Sequence, residues 1–378
     1  MSELIMAKKP NLGYGNMRMP RHEDGSVDLE LVFKMVDAYM AHGFNYFDTA
    51  FTYKDAEEVL HKAVVERYPR DRYMITTKLS LADCAAPEDM EKQFAISRER
   101  LGLDCVDMYF IHGLGPKTYD KCEAFKAFDF LREMKAKGYT KHIGFSFHGN
   151  AEKLEELLTA NPDMELVQLQ LNYLDWEDEK VQSRLCYETA RRHNIPISVM
   201  EPCKGGWLTS KDSEAGKLLL AANPDAHPAS WAFRFIAGLE GIFVILSGMG
   251  NVEQVEDNCH TFETFTPLTE AERAVTLQVV DKIHSIPTVP CTDCKYCTKG
   301  CPKGLPIPFF MRSYNSLLLY NELASSMNLY YMMTKPETRA SNCVGCGGCE
   351  QRCPQGIEIT KYIQVLKEKY DPLLKNIH

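Results

Sequence analysis

Short runs of β-branched and aromatic residues alternate along most of the chain with longer segments whose apolar positions recur every three or four residues. That alternation is the mark of a parallel α/β fold. Strands are predicted at NYFDT from Asn45, RYMITTK from Arg72, VDMYFIH from Val106, HIGFSF from His142, LVQLQLN from Leu166, ISVME from Ile197 and IFVILSG from Ile242, with a weaker one near Asn11–Met17. Between them, Val32, Met35, Val36, Tyr39 and Met40 share one helical face, as do Leu154, Leu157 and Leu158. Strand starts follow one another at spacings close to the 30-odd residues of a βαβ unit. Eight such units in about 260 residues fit a (β/α)8 TIM barrel; a doubly wound sheet more often stops at six strands.

The pattern changes near the C-terminus. LTEAERAVTLQVVDKIH, from Leu268, predicts a helix that starts at Thr269 and its acidic followers and ends before Pro287 and Pro290. Beyond it, PFFMRSYNSLLLYNELA and MNLYYMM have helical rather than alternating spacing. The expected organisation is therefore a barrel over 1–284 and a small, mostly helical domain over 285–378.

The chain has 378 residues, 45% hydrophobic and 25% charged, which suits globular domains and excludes a disordered or fibrous chain. A net charge of -9 argues against a nucleic-acid surface. No apolar run approaches the roughly 18 residues of a membrane span, and Met1 to Leu12 has no signal-peptide pattern. The expectation is a cytoplasmic protein with reduced thiols.

Cysteine is the unusual component, with 14 residues. Eight fall into two runs of identical spacing: Cys291, Cys294, Cys297 and Cys301 before Pro302, and Cys343, Cys346, Cys349 and Cys353 before Pro354. C-x-x-C-x-x-C-x-x-x-C-P is the bacterial iron–sulfur pattern, in which the fourth thiolate reaches the other cluster of a pair. Two 4Fe-4S clusters are thus expected, one on Cys291, Cys294, Cys297 and Cys353, the other on Cys343, Cys346, Cys349 and Cys301. Gly345, Gly347 and Gly348 loosen the second loop for winding around a cluster. Zinc sites and redox disulfides are the competing readings, but zinc knuckles usually appear as paired C-x-x-C units. A domain whose core is partly its clusters should not fold without iron. Cys84, Cys105, Cys122, Cys186, Cys203 and Cys259 have no ligand spacing and are expected to be small apolar or surface residues.

Active residues of a barrel cluster at the carboxyl ends of its strands. Asp48, Lys78 and His112 end three consecutive predicted strands, and Tyr53 follows Asp48 in the next loop. FDTAFTY, TTKLS and YFIHG resemble the Asp, Tyr, Lys and His tetrad of the aldo/keto reductase superfamily. The similarity continues through KGYTKHIGFSFHG, VQLQLNYLDW, VMEPCKGGWL and VILSGMGNVEQVEDN, and with the cysteine tail it resembles the ferredoxin-bearing branch of that family.

The resemblance implies that Tyr53 is the general acid for a carbonyl becoming an alkoxide, with the Lys78 ammonium easing proton loss from the phenol. Asp48 would orient Lys78, and His112 would hold the substrate oxygen. It further implies that Ser146 and Gln168 contact a nicotinamide amide. Ser247, Gly248, Met249, Gly250 and Asn251, with Gln254 and Asn258, would hold the pyrophosphate and adenosine end of NADP or NAD at a helix N-terminus. The chain departs from the family at Phe147, where an asparagine is common, and at Met200, a candidate cofactor contact standing where many relatives stack an aromatic ring on the nicotinamide. Glu201 and Lys204 follow Met200. Gly248 and Gln254 stand where basic residues often grip a 2′-phosphate, so the dinucleotide preference stays open.

Nicotinamides move two electrons as hydride, whereas each cluster moves one. Three functions follow: a small-molecule oxidoreductase linked to electron transfer through its clusters, with a redox partner protein supplying or draining them; an NAD(P)H-dependent carbonyl reductase with structural or docking clusters; and an electron carrier or binding module with an inactive barrel. The first leaves room for a flavin, although no motif indicates one. Substrate identity and oligomeric state are not legible from the pattern.

Overall fold

The structure is a computed structural model that describes residues 11–22 and 24–374. Eight parallel strands close into a barrel in chain order: β1 (Asn11–Gly15), β2 (Tyr46–Asp48), β3 (Met74–Leu79), β4 (Val106–Leu114), β5 (Thr140–Phe147), β6 (Leu166–Gln170), β7 (Ile197–Met200) and β8 (Ile242–Ser247). Closure runs through β1 and β8, with Leu12 beside Ile245 and Gly13 beside Leu246. The eight-stranded α/β barrel expected from the strand spacing is the observed fold.

Alternation along the strands divides the barrel interior into levels. Tyr46, Met108, Phe110, Leu166, Phe243, Val244 and Leu246 pack together as an apolar floor. Two residues further along the same strands stand Asp48 after Tyr46, His112 after Phe110 and Gln168 after Leu166, so the polar layer rises directly from that floor. Gly13 keeps the floor compact: a Cβ there would lie 2.6 Å from Leu246 Cδ2 and 2.8 Å from Val244 Cγ2.

The outer helices bury the stripes their spacing predicts. Helix Leu29–Ala41 buries Val32, Met35, Val36, Tyr39 and Met40. Asp28 caps its start, accepting from Leu31 N at 3.0 Å. The Tyr39 hydroxyl accepts from Tyr46 N at 3.1 Å and lies 2.7 Å from Leu12 O, tying the helix to two strands. Helix Ala151–Ala160 buries Leu154 and Leu158, but Leu157 is only partly covered because it lies at the rim of the stripe.

By contacts the chain forms two compact units. One holds the described residues up to Pro20, Val27–Lys204 and Ala229–Glu270; the other holds Arg21–Ser26, Gly205–Pro228 and the described residues from Ala271 onward. The connection between β7 and β8 thus contributes Gly205–Pro228 to the cysteine-bearing unit.

That second unit is helical. Helices Glu270–Ser285, Ile307–Tyr320, Leu323–Met333 and Ile359–Leu374 supply most of it. Its apolar core gathers Leu305, Ile307, Phe310, Met311, Tyr330, Ile363, Leu366 and Tyr370 together with Cys297 and Cys349. Asn315 clips the entering chain, donating from Nδ2 to Val289 O at 3.0 Å and accepting Val289 N at 2.9 Å. Trp207 stacks on Tyr320 with ring centroids 4.9 Å apart, which fastens the contributed segment to helix Ile307–Tyr320.

Candidate active site and cysteine cavities

The tetrad residues meet at one end of the barrel. Lys78, near the end of β3, is fully buried and donates to Asp48 Oδ1 at 2.6 Å and to Thr49 O at 2.8 Å. Its ammonium lies 5.4 Å from the centroid of the Tyr53 ring. The Tyr53 and His112 rings meet edge to face with centroids 5.5 Å apart, and His112 Nδ1 lies 3.4 Å from Thr52 Oγ1. Asp48 and Lys78 are sealed from solvent, whereas Tyr53 and His112 keep partial exposure. Of the four, only Tyr53 and His112 present surface that a small molecule could reach.

His112 does not end its strand. β4 continues to Leu114, and its pairing with β5 slips between Ile111 and Leu114, leaving His112 and Gly113 at an irregularity. Such bulges re-aim side chains beside active sites. Gly113 takes φ +60, and its N–H donates to Ser146 Oγ at 2.7 Å, so Ser146 fixes the bulge from the neighbouring strand.

Burial governs the electrostatics. It holds the His112 imidazole down at about 3, with the Lys78 ammonium adding to the effect, so the ring is neutral and can donate one N–H at physiological pH. Lys78 is likewise pulled below the usual amine range by burial, against the attraction of Asp48. The phenol of Tyr53 is pushed well up by burial, and the Asp48 and Glu201 carboxylates push further while Arg18 opposes them. This differs from the eased phenol implied by the family resemblance. Lys78 spends two of its donors on Asp48 and Thr49, and protein atoms crowd the phenol.

Ser146 and Gln168 stand beside the tetrad, paired across β5 and β6. The Gln168 amide donates to Asp48 Oδ2 at 3.4 Å and to Ser198 Oγ at 3.3 Å. After β8, Asn251 caps helix Val252–Glu263 by accepting Gln254 N at 2.8 Å, and Gln254 Oε1 accepts Gly250 N at 2.7 Å. Asn258 donates to Ser247 Oγ at 3.0 Å. Ser247, Gly248, Met249, Gly250, Asn251, Gln254 and Asn258 therefore form one cradle at a helix N-terminus. No protein atom lies within 4 Å of where a Gly248 side chain would begin, so the backbone there is open to an anion. No Lys or Arg occurs between Ser247 and Gln254.

Met200 ends β7 and leads into a loop that sequence reasoning noted without giving it a role. Glu201 and Lys204 take left-handed conformations, with φ +56 and +48. Lys204 donates to the buried Asp175 at 2.5 Å, Asn172 donates to Asp175 at 2.7 Å and to Glu201 O at 3.1 Å, and Gln170 donates to Asp175 at 2.8 Å. This network fixes the backbone of Glu201, whose carboxylate approaches Arg18 to 3.9 Å. Arg18 was not found from the sequence, because a lone arginine after a short strand carries no pattern.

In the second unit the two cysteine runs interlock around two cavities. One, open to solvent, is lined by Cys291, Cys294, Cys297 and Cys353. The other is lined by Cys301, Cys343, Cys346 and Cys349. Each cavity takes three cysteines of one run and the fourth of the other. A single tetrahedral zinc would draw four sulfurs to within about 3.8 Å of one another, given zinc–sulfur bonds of about 2.3 Å. Among the described residues no group of three or more His, Cys, Asp or Glu side chains is arranged to hold a single metal ion. The cysteines instead ring wider spaces floored by Ile307, Met311, Ile359 and Ile363, which fit a bulkier inorganic group. Of the scattered cysteines, Cys84, Cys122, Cys186 and Cys259 are buried, while Cys105 and Cys203 are partly exposed.

A closed parallel (β/α)8 barrel carrying a polar tetrad at one mouth, joined to a helical unit with two cysteine-ringed cavities, defines a two-part redox architecture. The chain belongs to the aldo/keto reductase family, whose model matches residues 11–276, and residues 290–358 match a 4Fe-4S dicluster domain. The aldo-keto reductase str7 of Strobilurus tenacellus is 30% identical over 186 residues, covering 47% of this chain and 52% of that protein. The match thus spans about half the length of that relative. The 9,11-endoperoxide prostaglandin H2 reductase of Trypanosoma cruzi is 29% identical over 200 residues, 53% of this chain and 64% of its own. An aldo-keto reductase structure from Klebsiella pneumoniae in complex with NADPH superposes with a TM-score of 0.58 at 20% identity, covering 74% of this chain and 93% of that one. Among the described residues no helix is long and apolar enough to cross a membrane.

Proposed function

We propose that the chain is an iron–sulfur oxidoreductase of aldo/keto reductase type, reducing a carbonyl or related unsaturated small molecule and linked to one-electron transfer through two 4Fe-4S clusters. The observation that carries this reading is the convergence of Tyr53, His112 and the buried Lys78–Asp48 pair at one barrel mouth. When bound, the reduced form of NADP or NAD would supply hydride there, and clusters held by the eight cysteines would supply single electrons. The neutral His112 N–H orients the carbonyl oxygen, and Tyr53 gives that oxygen its proton as negative charge develops. Lys78, held by Asp48, supplies the positive charge that steadies the phenolate left behind. Gln168 keeps Asp48 turned toward Lys78, and the open backbone of the Ser247–Asn251 cradle accommodates a pyrophosphate.

The interlocked cysteines support the cluster half of the proposal. The modest apolar core of the same unit favours a second reading, in which the clusters are structural and the barrel works with NAD(P)H alone. One experiment separates the two. Holoprotein is reduced anaerobically with dithionite, freed of excess reductant, and mixed with a carbonyl substrate in the absence of nucleotide. Recovery of the oxidised-cluster visible absorbance, matched by alcohol formed, is expected; absorbance that stays bleached overturns the cluster-linked reading.

A further inference from the structure

Charge is unevenly shared along the chain in a way the barrel chemistry does not use. Residues 287–378 hold 11 Lys and Arg against 7 Asp and Glu, while residues 1–286 hold 32 against 45. Four of the cations lie in the cysteine loops themselves: Lys295, Lys299, Lys303 and Arg352, all exposed. The two acidic residues of those loops are engaged. Asp293 lies 3.7 Å from Arg312, and Glu350 accepts from Thr360 N at 2.7 Å. Among the described residues none of the four loop cations enters an ion pair.

Each cavity also has one exposed cysteine, Cys294 in the first and Cys346 in the second. Beside them stand exposed apolar side chains, Tyr296 at 55% and Val344 at 58%. A lysine lines each cavity, Lys295 in the first and Lys303 in the second. At the second cavity an exposed sulfur, an exposed apolar group and an unpaired ammonium therefore coincide; at the first the sulfur and the ammonium do, with the exposed Tyr296 next to Lys295 in the chain. The apolar groups can form the dry centre of a contact, and the surrounding cations can steer a negatively charged partner and favour one orientation.

We propose that these loops are the docking surface for a small acidic one-electron carrier protein. The inference rests on the reading of the eight cysteines as cluster ligands. In each encounter the carrier is oxidised by one electron and one cluster is reduced by one; no bond forms or breaks. Two encounters load the two electrons that carbonyl reduction consumes with two protons. Weak redox encounters bury little surface, less than about 1,200 Å², so two small apolar contacts ringed by charge suffice.

The test is anaerobic stopped-flow reduction of the full-length holoprotein by a reduced acidic ferredoxin across a range of ionic strength. The second-order rate should fall about tenfold or more between low salt and about 0.3 M, as the Debye length contracts. The double variant Lys299→Glu with Lys303→Glu should lose about tenfold at low salt, converge on the parent at high salt, and keep its cluster absorbance. Substituting Val344→Ser, which leaves charge untouched, should slow transfer at every salt concentration. A salt-independent rate overturns the proposal. So does a charge variant that alters cluster potential but not carrier rate, because the cations would then only balance the anionic clusters. Equally tight binding to anionic vesicles would assign the surface to lipid and overturn it as well. If the clusters are not linked to the barrel, the carrier still reduces them with this salt dependence but no carbonyl is consumed. If docking alone fails, dithionite-reduced clusters still discharge to substrate.

Discussion

The barrel mouth and the cysteine unit build their candidate sites by opposite physical routes. At the mouth, strands hold the groups: Asp48 and Lys78 are fixed by the sheet register and stand above a packed apolar floor, so the site is built before any ligand arrives. In the cysteine unit, short loops enclose space. Cys294 and Cys346 are exposed, only Cys297 and Cys349 belong to the buried core, and the helices surround two cavities instead of meeting one another through them. A preformed site tolerates the loss of its ligand; a site that is part of the core does not.

Iron removal should break this comparison open, with the largest effect of any perturbation. Treating reduced protein with a strong chelator is expected to erase the helical signal of residues 287–374 and expose them to protease. The barrel should retain a separate cooperative thermal transition. Calorimetry before and after chelation, with proteolytic fragments mapped by mass, checks both halves. A single transition that vanishes entirely, or two that survive, would contradict the contrast.

The same contrast governs what could be read from the chain. Seven strands were legible because each is a short β-branched or aromatic segment between helical periods, β1 only weakly so because NLGYG is short and glycine-rich, and Asp48, Lys78 and Tyr53 stood out because barrel chemistry is confined to strand ends and the loops that follow. The cysteine runs were plainer still, since the spacing within each run is local in sequence, although each cavity takes its fourth cysteine from the other run. What escaped was set by contacts between distant segments. Gly205–Pro228 has the ordinary look of a βα connection, and nothing in its pattern says that Trp207 will stack on Tyr320. The bulge at His112 depends on Ser146 in the next strand, and Leu157 repeats the period of its helix but lies at the rim. The environment of Tyr53 lay outside the pattern for the same reason: Glu201 and Arg18 act on it from loops far away in sequence, and burial, the largest influence, raises the phenol pKa together with Glu201.

A second, smaller perturbation acts on the mouth alone. Tyr53→Phe removes the proposed proton donor while keeping the ring against His112, so kcat for NAD(P)H-dependent carbonyl reduction should fall by about 10² to 10⁴, the usual weight of general acid catalysis. Cluster absorbance and both thermal transitions should be unchanged. Steady-state rates with a simple aldehyde decide it, and normal turnover would remove Tyr53 from the role of acid.

The smallest expected effect is the most discriminating, because two substitutions must move one limb in opposite directions. A phenol donates its proton only while protonated, so kcat/KM should fall on the alkaline side as Tyr53 ionises. The Glu201 carboxylate disfavours the phenolate; in Glu201→Gln that repulsion is gone, the phenol ionises more readily, and the limb moves to lower pH. Arg18 favours the phenolate; in Arg18→Gln that attraction is gone, and the limb moves to higher pH. Both side chains are about a third exposed, so water and salt screen them and each displacement should be modest and shrink at high ionic strength. His112 adds no acid limb near 6.5, since burial keeps its ring neutral down to about 3. Profiles of kcat/KM for the parent and the two variants at low and high salt measure all of this together. Displacements of equal sign would show that the substitutions act by moving the loop after β7, not through charge.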